Sequence, residues 1–229
     1  MAEKERFEVL SQVLRQFHSA GVLKDIMLIG SWCLYFYRHE FENPKSIPAV
    51  RTLDADFLIP NQRKLEAEFD VPMALRSLGF APTFNRSNGL VVYDHPQLRV
   101  EFLIPEIGKG FEKPQEIKKL HIKAIGLRYL NLLAEHPRII AYGDIKVKVP
   151  EPGVFAVHKL IISDRRKKAD KKDRDLEAAV GILDWIFGQP DELKKLKTVL
   201  KSLPKKWLEN IALISQREYP RLVDEVNRL

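Results

Sequence analysis

Apolar positions along the chain recur with two periods, and the switches between them mark the elements. From Glu3 to Ala20 the spacing of Phe7, Leu10, Val13, Leu14 and Phe17 is helical, and Gly21 ends the run. Ile26-Met27-Leu28-Ile29 reads as a short strand. Gly30-Ser31 follows it, and then a buried helix from Trp32 to Arg38. Leu53 to Ile59 reads as a buried strand closed by Pro60, and Leu98 to Ile104 as another closed by Pro105. Lys64 to Leu78 is expected as a helix that Pro72 interrupts or restarts. Phe80–Asn85 and Leu90–Tyr93 are expected as hairpin strands around an Asn88-Gly89 tip, and residues 107–116 as a loop. His121 to Ala134 reads as a strand edge and a short helix. Arg138–Tyr142 and Ile145–Val149 form a second hairpin around Gly143-Asp144. After Pro150 the strand signals stop. A helix carrying Phe155, His158, Lys159, Leu160 and Ile162 leads to a basic run. Helices are then expected over Leu176–Phe187, Asp191–Ser202, Lys205–Ser215 and Arg217–Leu229.

This order predicts a chain of strands and helices that ends in an α-helical C-terminal region. The expected boundary separates residues 1–150 from a basic helical domain at 151–229. With 229 residues and 45% hydrophobic content, the chain can bury a substantial core. Cys33 is the one cysteine, so no internal disulfide can form, and a reducing, cytoplasmic setting is expected. No apolar run is long enough to span a bilayer, and no membrane partner is expected. The net charge of +7 is uneven. Residues 1–110 carry 13 Lys/Arg against 14 Asp/Glu, and residues 111–229 carry 25 against 17. A neutral half followed by a basic half suits the holding of a polyanion.

The two Pro-closed strands carry the candidate chemistry. Asp54 and Asp56 sit two residues apart, so they share one strand face about 6.6 Å apart along the chain. Carboxylates aimed the same way repel and are costly to bury unpaired, and a hard divalent cation, Mg²⁺ or Mn²⁺, relieves both problems. Glu101-Phe102-Leu103-Ile104-Pro105 repeats the ending of Asp56-Phe57-Leu58-Ile59-Pro60. On neighbouring strands about 4.8 Å apart, Glu101 reaches the pair from the side. Three such acids could serve a two-ion centre for phosphoryl displacement. Gly30-Ser31 between strand and helix is a candidate phosphate-binding turn, although a plain capped turn has the same pattern. Lys159, on an apolar helix, and part of the 165–174 cluster are candidate phosphate ligands. The plainer reading of that cluster is a solvated helix laced with pairs such as Arg166–Asp170. No Walker or dinucleotide-type loop occurs, and the six histidines are scattered.

Gly30-Ser31, Arg51-Thr52-Leu53-Asp54-Ala55-Asp56 and Val100-Glu101-Phe102 together resemble the polymerase-β-like nucleotidyltransferase superfamily. Val147-Lys148-Val149-Pro150-Glu151-Pro152, His158-Lys159-Leu160 and Lys172-Asp173-Arg174-Asp175-Leu176 are similar to bacterial and archaeal nucleotidyltransferases related to AbiEii-type abortive-infection toxins. The resemblance implies an α/β (α+β) fold, a mixed sheet flanked by helices with an α-helical C-terminal region, and metal-dependent transfer of a nucleoside monophosphate from an NTP to an acceptor hydroxyl, with release of pyrophosphate. It implies Asp54 and Asp56 as ligands of two metal ions and Glu101 as the third ligand, helping to activate the acceptor. Gly30, Ser31 and Lys159 would hold the triphosphate, with Arg51, Thr52 and Arg165 as further nucleotide-binding candidates. RNA, with tRNA as the family-based choice, is the implied acceptor, and an antitoxin protein is an implied partner. Two departures stand out: the third acid is Glu where many members have Asp, and Trp32 follows Ser31 where the toxin group often has a small residue. The competing readings are a non-catalytic module of the same fold that binds RNA or a partner protein, and an antibiotic-type enzyme acting on a small molecule.

Overall fold

A computed structural model describes residues 3–42, 44–84, 89–106 and 114–228. In chain order the elements are α1 (Glu3–Ser19), β1 (Met27–Ile29), α2 (Cys33–Glu40), β2 (Asp54–Leu58), α3 (Val71–Ser77), β3 (Ala81–Phe84), β4 (Val91–His95) and β5 (Leu98–Pro105). Then come β6 (Gln115–Ile117), β7 (Ile122–Leu127), α4 (Leu130–Ala134), β8 (Pro137–Tyr142) and β9 (Ile145–Pro150). The chain ends in α5 (Pro152–Ser163), α6 (Ala169–Ile186), α7 (Pro190–Ser202), α8 (Lys205–Glu218) and α9 (Pro220–Asn227). It divides into two units, one of residues 1–36 with 49–150 and the other of residues 37–48 with 151–229.

The first unit is built on a mixed sheet of order β1-β2-β5-β4-β3, with β7 pairing β5 beyond β4 and β6 pairing β7. β2 and β5 are parallel, whereas β1–β2, β4–β5 and β3–β4 are antiparallel. The parallel register is pinned at both ends, where Arg99 N–H donates to the Leu53 carbonyl and Ile59 N–H to the Leu103 carbonyl, each at 2.8 Å. Alternation puts Ala55, Phe57, Val100 and Phe102 on the buried face. There Phe17 of α1 meets Phe57 edge-on with ring centroids 5.3 Å apart, and Phe57 stacks on Phe102. The opposite face is left for Asp54, Asp56, Arg99 and Glu101. Among the described residues, β8 and β9 form a two-stranded sheet of their own, as the expected hairpin.

The helix expected from Lys64 is confined to Val71–Ser77. Asp25 accepts the N–H groups of Glu66 and Ala67 at 2.8 Å each, which holds that stretch outside a helix. Asp70 then caps Met73 N–H at 2.8 Å, and Pro72 sits in the first turn, where its missing donor costs nothing. The Arg86–Asn88 part of the first hairpin turn, and most of the expected 107–116 loop, lie outside the described residues.

The second unit takes in the end of α2, the non-helical stretch that follows it up to Pro48, and helices α5 to α9. α5 is buried along most of its length. Gly181 on α6 allows the backbone around Ser46 and Pro48 to lie directly against the helix, where a Cβ would strike the Ser46 carbonyl. Phe41 stacks on Trp185 at 3.5 Å between centroids, fastening the same segment. α6 begins at Ala169, seven residues before the expected start, so half of the basic run is helical. No helix among the described residues is long and apolar enough to cross a membrane.

Candidate active site

The register of β2 on β5 decides where the acids stand. Asp54 lies opposite Arg99, and Asp56 opposite Glu101. Register partners on parallel strands point to the same side, so the expected neighbourhood of the two strands is realised. Asp54, Asp56 and Glu101 share one half-exposed face while the residues between them are buried. Sheet propensity alone would not place three acids side by side here, because like charges directly opposite destabilise a pair of strands.

The turn after β1 reaches the same spot. Ile29 pairs with Asp56, so Gly30 follows β1 right beside that carboxylate. Gly30 has φ +72°, and a Cβ there would overlap Asp56 Oδ2. Only glycine meets both demands without strain. Gly30–Trp32 forms a tight 3₁₀ turn, and Cys33 N–H closes it on the Gly30 and Ser31 carbonyls. The eight-residue α2 therefore starts one residue later than expected.

Thr52 takes a position the sequence did not suggest. Its hydroxyl accepts the Asp54 N–H at 3.0 Å and lies 3.4 Å from Asp54 Oδ2, so it orients that acid directly. Arg51 is exposed beside it. Arg99 donates to Asp94 on β4 at 2.5 Å. That hydrogen bond raises the Arg99 pKa and outweighs the cost of burial, and the charges of Asp94, Asp54 and Glu101 add to the rise.

Lys159 and Arg165 belong to the helical unit. Lys159 is 5% exposed and donates to Asp175 Oδ1 at 2.5 Å, and Arg166 donates to Asp175 Oδ2 at 2.6 Å. Arg166 is thus engaged with Asp175 and not with Asp170, which Arg174 holds at 2.7 Å. Burial pushes the Asp175 carboxyl up, but the Lys159 charge and the hydrogen bonds from Lys159 and Arg166 bring it below the usual range. His158, next to this trio, is driven down to about 3 by burial and the Lys159 charge. Its Nε2 is buried without a hydrogen-bond partner. No local pattern in the sequence marks His158 or the double use of Asp175.

A family model described as Nucleotidyltransferase matches residues 8–198 of this chain. The chain belongs to the nucleotidyltransferase family. The match takes in the sheet, the acidic face and helices α5 and α6. A nucleotidyltransferase-like antigenic protein from Paracoccidioides brasiliensis is 15% identical, with 96% of this chain and 92% of that one covered at a TM-score of 0.46. The antibiotic-resistance factor ANT(2'')-Ia is 11% identical, with both chains fully covered and a TM-score of 0.41. No curated protein matches the chain.

A nucleotidyltransferase implies a divalent metal. Among the described residues, no three His, Cys, Asp or Glu side chains form a ready-made cluster for one. The donor chemistry nevertheless fits: three carboxylates, hard oxygen ligands, stand on adjacent rungs of one face. As arranged, the Asp54 carboxylate rests near Thr52 and that of Asp56 against Gly30.

Proposed function

We propose that this nucleotidyltransferase moves a nucleoside monophosphate from an NTP to an acceptor hydroxyl at the acidic face of β2 and β5. The observation that carries the reading is the Asp56–Glu101 register, which sets like charges side by side, with Asp54 two residues away on the same face. Asp54, Asp56 and Glu101 would hold Mg²⁺ or Mn²⁺, as one ion or two, whose charge would offset that developing on the phosphate oxygens. Gly30 leaves room for the Asp56 carboxylate at the start of the Gly30–Trp32 turn, and the amides of that turn would take the phosphate oxygens. Thr52 holds Asp54, and Glu101 would accept the proton of the attacking hydroxyl. The new P–O bond forms at the α-phosphorus as the bond to the β-phosphate breaks, and pyrophosphate leaves.

RNA is the acceptor class we favour. Lys167, Lys168, Lys171 and Lys172 are exposed and have no acidic partner among the described residues, in a stretch whose Asp170 is held by Arg174. The test is transfer of label from each NTP to total RNA in the presence of Mg²⁺. Asp54→Asn and Asp56→Asn should each lower transfer at least ~100-fold with the thermal midpoint unchanged. Full activity in both variants overturns the mechanism. Label moving only to small molecules would replace RNA and leave the acidic face standing.

A further inference from the structure

The hairpin of β8 and β9 is packed on one side and open along one edge. Ile140 of β8 and Ile145, Val147 and Val149 of β9 are buried. Pro137, Ile139 and Ala141 are exposed, Ile139 at 62%. Across the register Ile139 stands beside Lys148 and Ala141 beside Lys146, so the outer face carries an apolar strand next to a basic one. Among the described residues, β8 pairs with β9 and no strand takes its other edge.

The turn decides which backbone groups lie on that edge. Gly143-Asp144 is a two-residue loop with Gly143 at φ +59°, and Tyr142 and Ile145 close it. A closing pair of this kind exchanges both its hydrogen bonds, and the exchange recurs at every second residue of the ladder. The backbones of Ile140 and Tyr142 therefore bond toward β9, while Ile139 and Ala141 direct their N–H and C=O groups away from it. An apolar, uncharged edge with its donors and acceptors facing outward is a template for another strand.

We propose that the strand it takes is β8 of a second copy of this chain, paired antiparallel about a two-fold axis at Ile140. That register sets the bulky Ile139 against the small Ala141 of the second copy, and does so twice by symmetry. Pro137, which has no N–H to give, falls at the margin, and Arg138 lies opposite Tyr142 of the second copy and not opposite another arginine. On the outer face one rung then runs Lys148, Ile139, Ala141 of the second copy and Lys146 of the second copy. The two lysines are three strand spacings, about 14 Å, apart. An apolar centre with charge confined to its margins is the layout of a protein interface, and no like charges face each other across it. The pairing consumes the open edge of both copies, so assembly closes at two. Because the ladder is short, the dimer is a weak one.

Sedimentation of the full-length protein should show a monomer–dimer equilibrium with a Kd on the order of 10 µM. Ala141→Pro removes an N–H that β9 does not use, and should raise Kd at least ~10-fold with the thermal midpoint unchanged. Ile139→Lys puts a charge into the apolar centre and should do the same. Monomers at every concentration, species larger than a dimer, or a dimer that both variants leave intact overturn the proposal. Amide hydrogen exchange locates the contact. The N–H groups of Ile139 and Ala141 should exchange at least ~10-fold more slowly well above the Kd than well below it, whereas that of Ile140, already bonded to β9, should not change. Exchange at Ile139 and Ala141 that ignores concentration overturns the pairing even if a dimer forms through another surface.

Discussion

Two charged clusters in this molecule follow opposite rules. In the helical unit, Asp175 sits between Lys159 and Arg166, and the charges answer one another inside the protein. On the sheet, Asp56 faces Glu101 across two strands with Asp54 beside them, so carboxylate neighbours carboxylate. The first arrangement is buried and its charges are mutually compensated. The second is half exposed and sets carboxylate beside carboxylate. Side-by-side acids on an accessible face are where the proposed cation would act.

Stability measurements should separate the two clusters most widely. Asp175→Ala leaves the Lys159 ammonium buried without its acid, which should cost about 3–5 kcal/mol, reduced somewhat by the exposure of Arg166. Asp56→Asn removes a repulsion and keeps a hydrogen-bonding side chain, so it should shift stability by less than about 1 kcal/mol in either direction. Urea midpoints of the two variants give the comparison directly. Equal losses would mean that the sheet acids are structural like Asp175.

Gly30→Ala comes next. It adds a Cβ at φ +72° and against Asp56 Oδ2 at once. The strain should cost about 2–3 kcal/mol, and transfer activity should fall further than the stability loss explains, because Asp56 must move. If Gly30→Ala retains full activity, the glycine is an ordinary turn residue.

The pH dependence probes the helical cluster. His158 stays neutral in the fold down to about 3, while an unfolded chain takes up a proton near its ordinary 6.5. The unfolded state therefore binds more protons across that window, and stability falls as pH drops from 7 toward 3. Between pH 7 and pH 5 the loss should be about 2 kcal/mol from His158 alone. Lys159, Arg166 and Asp175 surround it. Of these, Asp175, held low by its partners, adds a further loss once pH falls below the ordinary carboxylate range. His158→Leu should flatten the slope between pH 7 and pH 5, and chemical denaturation at the two pH values measures it.

Much of this was legible in the chain. The Asp56–Phe57–Leu58–Ile59–Pro60 ending and its repeat at Glu101 carry the shared face, because a strand's two-residue period converts spacing directly into sidedness. The helical C-terminal region followed from the change of period after Pro150, and the mixed sheet from the family resemblance. What stayed hidden depends on partners far apart in the chain. Asp25 draws the Glu66 and Ala67 amides away from helix geometry across some forty residues. Arg166 takes Asp175 over the nearer Asp170 because Asp175 already faces Lys159 from within the core. Asp94 and Arg99 meet only because β4 lies against β5 in a register that sets them opposite each other. Local periodicity holds no information about any of these.

The smallest expected effect tests how finely the sheet cluster is set. Thr52 accepts the Asp54 N–H and touches Asp54 Oδ2, so it governs both the backbone and the carboxylate of one acid. Thr52→Val keeps the shape and removes the hydroxyl, leaving that N–H without an acceptor at a half-exposed position where water can replace it. The stability loss should be no more than about 1 kcal/mol. A misoriented Asp54 should show instead as a several-fold fall in transfer at low Mg²⁺ that high Mg²⁺ recovers, since the cation can then supply the orientation the hydroxyl provided. Thr52→Ser, which keeps the oxygen, should behave like the natural protein. If Thr52→Val and Thr52→Ser are equally active at every Mg²⁺ concentration, Asp54 is oriented by the strand alone, and the sheet cluster, like the helical one, needs no help from its loop.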